Sequence, residues 1–139
     1  MHKIDHQVGR LVEITVASPV DAAEVQEFVR EFMAVVARIP GKYVGIVDLL
    51  GAYVFPPAIA EGLIQLLSSS SPRVERTALL IGDSEILALQ AERALRAANS
   101  EDHRRVFRRP EELEAWLGEA LTIPELARLK LVLAARQAQ

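Results

Sequence analysis

The amino-acid sequence predicts an α/β protein with a mixed, mostly parallel sheet that starts with an antiparallel hairpin and is flanked by helices. Two observations support this class. Short apolar runs typical of strands alternate with amphipathic helical segments along the chain, and two alternating segments stand side by side at the amino terminus. Right-handed crossovers make the later strands parallel. The length of 139 residues suits one hydrophobic core.

The hairpin is predicted at residues 2–8 and 11–17. Gly9 lies between the two segments and can adopt the positive φ of a tight turn. Val12, Ile14 and Val16 alternate with polar residues, as in a strand with one buried face.

The first helix follows Ser18 and Pro19. Asp21 and Glu24 suit its amino terminus, and the Pro40–Gly41 pair ends it. Its apolar residues recur with helical spacing: Val25, Phe28, Val29, Phe32, Val36 and Ile39.

The middle of the chain continues the alternation. Tyr43–Leu49 is an apolar run typical of a central strand, and a helix follows from about Pro57. Serine and proline favour turns, so the "SSSSP" run at residues 68–72 predicts a loop before a strand at residues 74–81.

The third helix begins after Asp83 or Ser84, either of which is a suitable cap, and ends near Asn99. A strand at residues 103–107 and a helix from Pro110 complete a predicted domain of residues 1–121.

A separate C-terminal helical extension is predicted at residues 122–139. Thr122 and Glu125 have the spacing of a capping box. The helix carries two apolar stripes, one formed by Leu126, Leu129 and Leu133, the other by Ala127, Leu131 and Ala134. One stripe can pack on the domain. The second either packs on the same domain as well or, if it is exposed, is the candidate interface of a homodimer or another protein complex.

The composition excludes several classes of protein. Without cysteine there are no disulfides or thiolate metal sites, and the formal net charge of −3 gives no general attraction to nucleic acid. No run approaches the roughly 20 apolar residues of a membrane span. We expect a cytoplasmic protein without a cofactor or metal.

The arginines of residues 103–109 are bracketed by acidic residues, which predicts that this strand is a solvated edge. The three histidines are expected to lie on the surface.

The stretch "IVDLLGAYVFPPAIAEGL" at residues 46–63 and the later "RRVFRRPEELEAWL" resemble the STAS family, named for sulfate transporters and anti-sigma factor antagonists. The chain is most similar to the SpoIIAA-like group of small bacterial proteins, which share a distant likeness to CRAL-TRIO lipid-binding domains. The resemblance covers residues 1–121 and implies a STAS-like fold.

In phosphoregulated members of that family, a serine or threonine stands at the start of the helix after such a strand. The corresponding residues here are Phe55, Pro56, Pro57 and Ala58, none of which carries a hydroxyl. The usual phosphoswitch is therefore missing at this place, since no side chain there accepts phosphate.

The carboxyl ends of parallel strands are the expected place for a ligand or partner. The candidates there are Asp48, Gly51, Asp83, Ser84 and Arg108. Three of these residues also have a structural interpretation: Asp48 as an acceptor of backbone hydrogen bonds in its loop, and Asp83 or Ser84 as a helix cap.

Three functions follow as hypotheses. The first is a non-catalytic, STAS-like interaction or regulatory module without the phosphoswitch. The second is a carrier of a small apolar or lipid-like ligand, which requires a cavity between the second helix and the sheet. The third is an enzyme using Asp48 or Asp83 as an acid or base. No nucleophile or nucleotide motif supports a catalytic function, so the sequence favours a binding protein.

Overall fold

The computed structural model of the chain describes residues 1–137 and contains a mixed α/β arrangement of five strands and five α-helices. The strands are β1 (His2–Val8), β2 (Leu11–Val16), β3 (Tyr43–Asp48), β4 (Val74–Leu80) and β5 (Arg104–Phe107). The helices are α1 (Ala22–Ala37), α2 (Pro57–Ser70), α3 (Glu85–Ala97), α4 (Pro110–Gly118) and α5 (Ile123–Gln137), and a 3₁₀ turn (Ser71–Arg73) follows α2.

The sheet has the strand order β1-β2-β3-β4-β5. The β1 and β2 strands form the antiparallel hairpin, with Gly9 at a φ of 55° in the turn, and every other neighbouring pair is parallel. Because each crossover moves to the next strand in the same direction, right-handed connections bring α1, α2 and α3 to one face. The predicted fold class is confirmed.

The face that carries α1, α2 and α3 holds two adjoining groups of buried apolar side chains. Phe28 and Phe32 of α1 stack with ring centroids 6.0 Å apart and cover the β2 end of the sheet. Ile59 of α2 and Leu87 of α3 cover Leu79 of β4. These helices therefore form one layer over the sheet.

The opposite face is covered by α4 and α5. Leu113 and Leu117 of α4 and Leu129 of α5 are fully buried against the sheet, and Trp116 is 9% exposed in the same cluster. The α5 helix thus shares a core with the strands. Ala138 and Gln139, the last residues of the predicted 122–139 extension, lie outside the described residues.

Three local expectations were wrong. The serine run does not form a loop throughout, because α2 continues to Ser70, whose hydroxyl donates to the Leu66 carbonyl at 2.8 Å. Arg104 is not solvated, since only 2% of it is exposed. His2 is largely covered, because its ring contacts Phe28 and its nitrogens lie within 3.1 Å of Glu24 and Glu31. Arg104 and His2 are covered by partners distant in sequence, whereas the Ser70 contact to Leu66 lies within α2.

Candidate functional site

Asp48 lies at the carboxyl end of β3 and is 6% exposed. Its Oδ1 accepts the Leu50 backbone N–H at 2.8 Å, and its Oδ2 is 2.7 Å from Nε of Arg136 on α5. The carboxylate therefore organises the loop after β3 and anchors the last helix. These contacts agree with its structural interpretation, and a ligand-binding role stays a prediction.

The other candidates at this edge also have local roles. Ser84 caps α3, where its Oγ accepts from the Leu87 N–H at 3.1 Å, and Asp83 is exposed just before it. Arg108 donates to Glu85 at 2.8 Å on the surface. The Gly51 carbonyl accepts from the Ser18 N–H at 3.2 Å. These residues lie in neighbouring loops at one edge of the sheet. Asp48, Ser84 and Arg108 each form a hydrogen bond or ion pair with another residue of the chain.

A separate cavity of about 130 Å³ lies between the sheet and the layer formed by α1, α2 and α3. It is partly open and almost entirely apolar. Small side chains on the two covering helices, Ala60 on α2 and Ala91 and Ala94 on α3, contribute to its wall. Larger apolar residues complete it: Ile14, Val16, Phe28, Phe32, Val47, Leu49, Phe55, Leu63, Leu66, Leu67, Leu79 and Leu87. This volume is the cavity that the carrier hypothesis requires.

Phe55 closes part of the cavity and is held there by Gln90 of α3. The Phe55 N–H donates to Gln90 Oε1 at 2.9 Å, and Gln90 Nε2 donates to the Phe55 carbonyl at 2.8 Å. Only 7% of Phe55 is exposed. Phe55, which lies near the position where regulatory STAS proteins carry the phosphorylated hydroxyl, therefore forms part of the cavity wall. Pro57 begins α2 two residues later.

Four polar side chains lie along one part of the cavity wall: Tyr43, Ser70, Thr77 and Arg104. The Arg104 guanidinium donates to Ser70 Oγ at 2.8 Å, to the Leu67 carbonyl at 3.1 Å and to the Tyr43 hydroxyl at 3.3 Å. Thr77 is paired in register with Arg104 across β4 and β5. We call these four residues the polar end of the cavity.

Gly45 of β3 adjoins the polar end. A Cβ atom at Gly45 would lie 3.0 Å from Thr77 Oγ1 and 3.5 Å from Cε2 of Tyr43. Glycine weakens a strand interior and often marks a position where another group approaches the backbone closely. The absence of a side chain at Gly45 therefore gives room to Thr77 and Tyr43.

Local sequence patterns did not identify any residue of the polar end as part of a site. A signal was present at Thr77, because a polar residue beside the apolar run "ALLIG" is informative in a buried segment. Arg104 stands in a run of arginines, and nothing in that run distinguishes it, because the register that turns it inward depends on pairing with β4.

Comparison with solved structures supplies one informative neighbour. It is an uncharacterised protein of the DUF3478 family with a SpoIIAA-like fold from Shewanella loihica PV-4. The match has a TM-score of 0.65 at 12% identity and covers 84% of this chain and 93% of the other. The chain has a SpoIIAA-like fold. This finding confirms the resemblance to STAS proteins at the level of the fold. No protein-family model and no curated protein matches the sequence.

Within the SpoIIAA-like fold the cavity lies under the helix that follows β3, in the layer of α1, α2 and α3. No helix in residues 1–137 is long and apolar enough to cross a membrane. The described residues also contain no group of three histidine or carboxylate side chains arranged to hold a metal ion. The arrangement offers an apolar volume with a basic and hydroxylated end.

Proposed function

We propose that this SpoIIAA-like protein binds a small apolar molecule in the cavity beneath α2 and α3. The observation that carries the proposal is the cavity itself, with a volume of about 130 Å³ and an almost entirely apolar wall. An engineered cavity of about 150 Å³, lined by similar side chains in another protein, binds benzene. The protein holds its ligand without transforming it in this proposal.

The volume limits the ligand to about the size of a single ring or a short alkyl chain. Burial of each methylene contributes about 0.8 kcal/mol, so a chain with five buried methylenes gains about 4 kcal/mol before association costs. A net gain of about 4 kcal/mol corresponds to a dissociation constant of about 1 mM, and association costs make the expected binding weaker than that. The binding experiment must therefore reach millimolar ligand.

A matched pair of variants on α3 tests the proposal. Ala91 lines the cavity, whereas Ala97 on the same helix is exposed. Ala91→Leu adds volume inside the cavity, and Ala97→Leu adds the same side chain on the surface. The experiment titrates benzene and 1-hexanol into isotope-labelled protein and follows methyl and amide chemical shifts.

We expect saturable shifts at residues around the cavity in the wild type and in Ala97→Leu, and their loss in Ala91→Leu. Unsaturable shifts, or shifts that Ala91→Leu leaves unchanged, would contradict a ligand site in this cavity.

A second candidate function is self-association through the outer stripe of α5, supported by its exposure. Leu131 is 65% exposed and Ile123 is 88% exposed, and Ala127 and Ala134 lie on the exposed surface with them. An exposed apolar stripe of this kind is typical of a surface that another chain covers. We propose a homodimer formed through this stripe, without the phosphoswitch of regulatory STAS proteins.

A further inference from the structure

We infer that the ligand of the cavity is an amphipathic carboxylic acid whose carboxylate lies at the polar end formed by Tyr43, Ser70, Thr77 and Arg104. The inference rests on the proposed ligand-binding function and adds the chemical class of the head group. Three features of the polar end support it: a buried guanidinium, a buried hydroxyl without a hydrogen-bond partner among residues 1–137, and a tyrosine hydroxyl beside them.

The guanidinium of Arg104 is the first feature. Arg104 is 2% exposed, and it lines a cavity whose wall is otherwise almost entirely apolar. Among its contacts, those with Leu67, Ser70 and Tyr43 are made to neutral oxygen atoms and help to fix its orientation. A guanidinium binds carboxylate oxygens more strongly than neutral ones, and the attraction grows where water is excluded. The preferred head group at this end is therefore an anion.

The hydroxyl of Thr77 is the second feature. Thr77 is 5% exposed, and its Oγ1 has no hydrogen-bond partner among residues 1–137. Burial of a hydroxyl without a partner costs free energy, which makes such a group informative in a native fold. Thr77 lies next to Arg104 in the β4–β5 register and lines the same cavity. Rotation about χ1 turns the hydroxyl toward a ligand oxygen, to which it donates.

The hydroxyl of Tyr43 is the third feature. Tyr43 and Thr77 both pack against the backbone of Gly45, where a Cβ atom would lie 3.0 Å from Thr77 Oγ1 and 3.5 Å from Cε2 of Tyr43, so the two side chains lie close together. The Tyr43 hydroxyl accepts from Arg104 at 3.3 Å, so its own hydrogen can be donated to a ligand. Thr77 and Tyr43 then each donate an O–H to the carboxylate, with the positive charge of Arg104 beside them.

The test compares hexanoate with 1-hexanol, which has the same chain length and no charge. Chemical-shift titrations at pH 7 measure both affinities for the wild type, Thr77→Val and Tyr43→Phe. Thr77→Val replaces the hydroxyl with a methyl of similar shape, and Tyr43→Phe removes only the phenolic oxygen. Tyr53→Phe is the matched control, because Tyr53 is 60% exposed. Substitution of Arg104 is avoided because this residue also holds the carboxyl end of α2.

We expect the wild type to bind hexanoate about tenfold more tightly than 1-hexanol, which is the effect of about 1.4 kcal/mol expected for a charge-assisted contact. Thr77→Val and Tyr43→Phe should each weaken hexanoate binding by about fivefold to tenfold, leave 1-hexanol binding unchanged and retain the wild-type fold. Tyr53→Phe should match the wild type for both ligands.

Equal affinities for the two ligands, both lost in Ala91→Leu, would overturn the carboxylate inference and leave the proposed function standing. Preferential hexanoate binding that neither Thr77→Val nor Tyr43→Phe changes would overturn the placement of the carboxylate at this end. Failure of both ligands to bind would overturn the proposed function itself.

Discussion

Arg136 in the last turn of α5 forms an ion pair with Asp48 at the end of β3, with Nε and Oδ2 2.7 Å apart. The Arg136 Nη2 also donates to the Thr15 hydroxyl at 2.7 Å, so one side chain ties α5 to the ends of β2 and β3. Only 9% of the Asp48 side chain is exposed. The pair therefore lies in a partly desolvated position, where loss of one partner leaves a charge without its counter-ion.

We predict that Asp48→Asn and Arg136→Gln each lower the free energy of unfolding by about 1–2 kcal/mol, with a coupling energy of about 1 kcal/mol in a double-mutant cycle. Urea denaturation of the four proteins measures these values. Arg108→Gln is the control, since its ion pair with Glu85 is exposed, and its effect should stay within about 0.5 kcal/mol. A coupling energy near zero would mean that the two residues stabilise the fold independently.

The Glu125 carboxylate predicts a dependence of stability on pH. Burial acts to raise the pKa of Glu125, but hydrogen bonds from the backbone N–H groups of Arg10 and Thr122 outweigh it and lower the pKa below 4.5. When the pKa of a carboxyl group is lower in the folded than in the unfolded protein, the charged group stabilises the fold at pH values above the unfolded pKa. This stabilisation is lost as the pH falls through the folded pKa.

Glu125→Gln should therefore lower the free energy of unfolding by about 1–3 kcal/mol at pH 7, because a carboxylate that accepts two N–H groups is replaced by a neutral amide. The difference from the wild type should shrink as the pH falls below 4.5. Denaturant titrations across this pH range measure it, with Glu119→Gln as an exposed control. A difference that does not vary with pH would show that the charge of Glu125 is not responsible.

The unpartnered hydroxyl of Thr77 predicts a stabilising substitution. Thr77→Val should raise the free energy of unfolding of the ligand-free protein by about 1 kcal/mol, since the cost of a buried hydroxyl without a partner is removed. Ser100→Ala is the matched control, because Ser100 Oγ is also buried without a partner but does not line the cavity.

The two substitutions should diverge when hexanoate is added. We expect the ligand to raise the melting temperature of Ser100→Ala as much as that of the wild type, and to raise that of Thr77→Val less. Equal ligand-induced shifts in all three proteins would show that the Thr77 hydroxyl does not contact the ligand.

Substitutions of two leucines on α5 allow the effects on self-association and on folding to be measured separately. Leu131→Glu places a charge in the exposed stripe and should raise the dimer dissociation constant at least about tenfold, with a change in monomer stability within about 0.5 kcal/mol. Leu129→Glu buries a charge in the core and should lower the free energy of unfolding by at least about 3 kcal/mol. Sedimentation velocity and urea denaturation measure the two effects. A wild type that remains monomeric at high concentration would rule out the dimer.

The capping box at Thr122 and Glu125 shows which contacts a local sequence pattern predicts and which it does not. The spacing predicted reciprocal contacts, and the structure confirms them with distances of 2.9 Å from the Thr122 N–H to Glu125 Oε1 and 3.4 Å from the Glu125 N–H to Thr122 Oγ1. The same carboxylate also accepts the Arg10 N–H at 2.6 Å, 115 residues away in sequence. No spacing within the helix predicted that contact, because it depends on how α5 lies against the hairpin.

The sequence by itself determined the order of strands and helices and the class of the sheet, because hydrophobic periodicity, turn residues and helix caps act within a few residues of one another. It also determined that residues 55–58 carry no hydroxyl for a phosphoswitch. Only the tertiary structure decided that Arg104 lies inward, since that orientation follows from the register between β4 and β5. The cavity could not be predicted from the sequence either. Its volume is the space that is left after side chains from the sheet and three helices have packed together, and no local sequence pattern specifies that space.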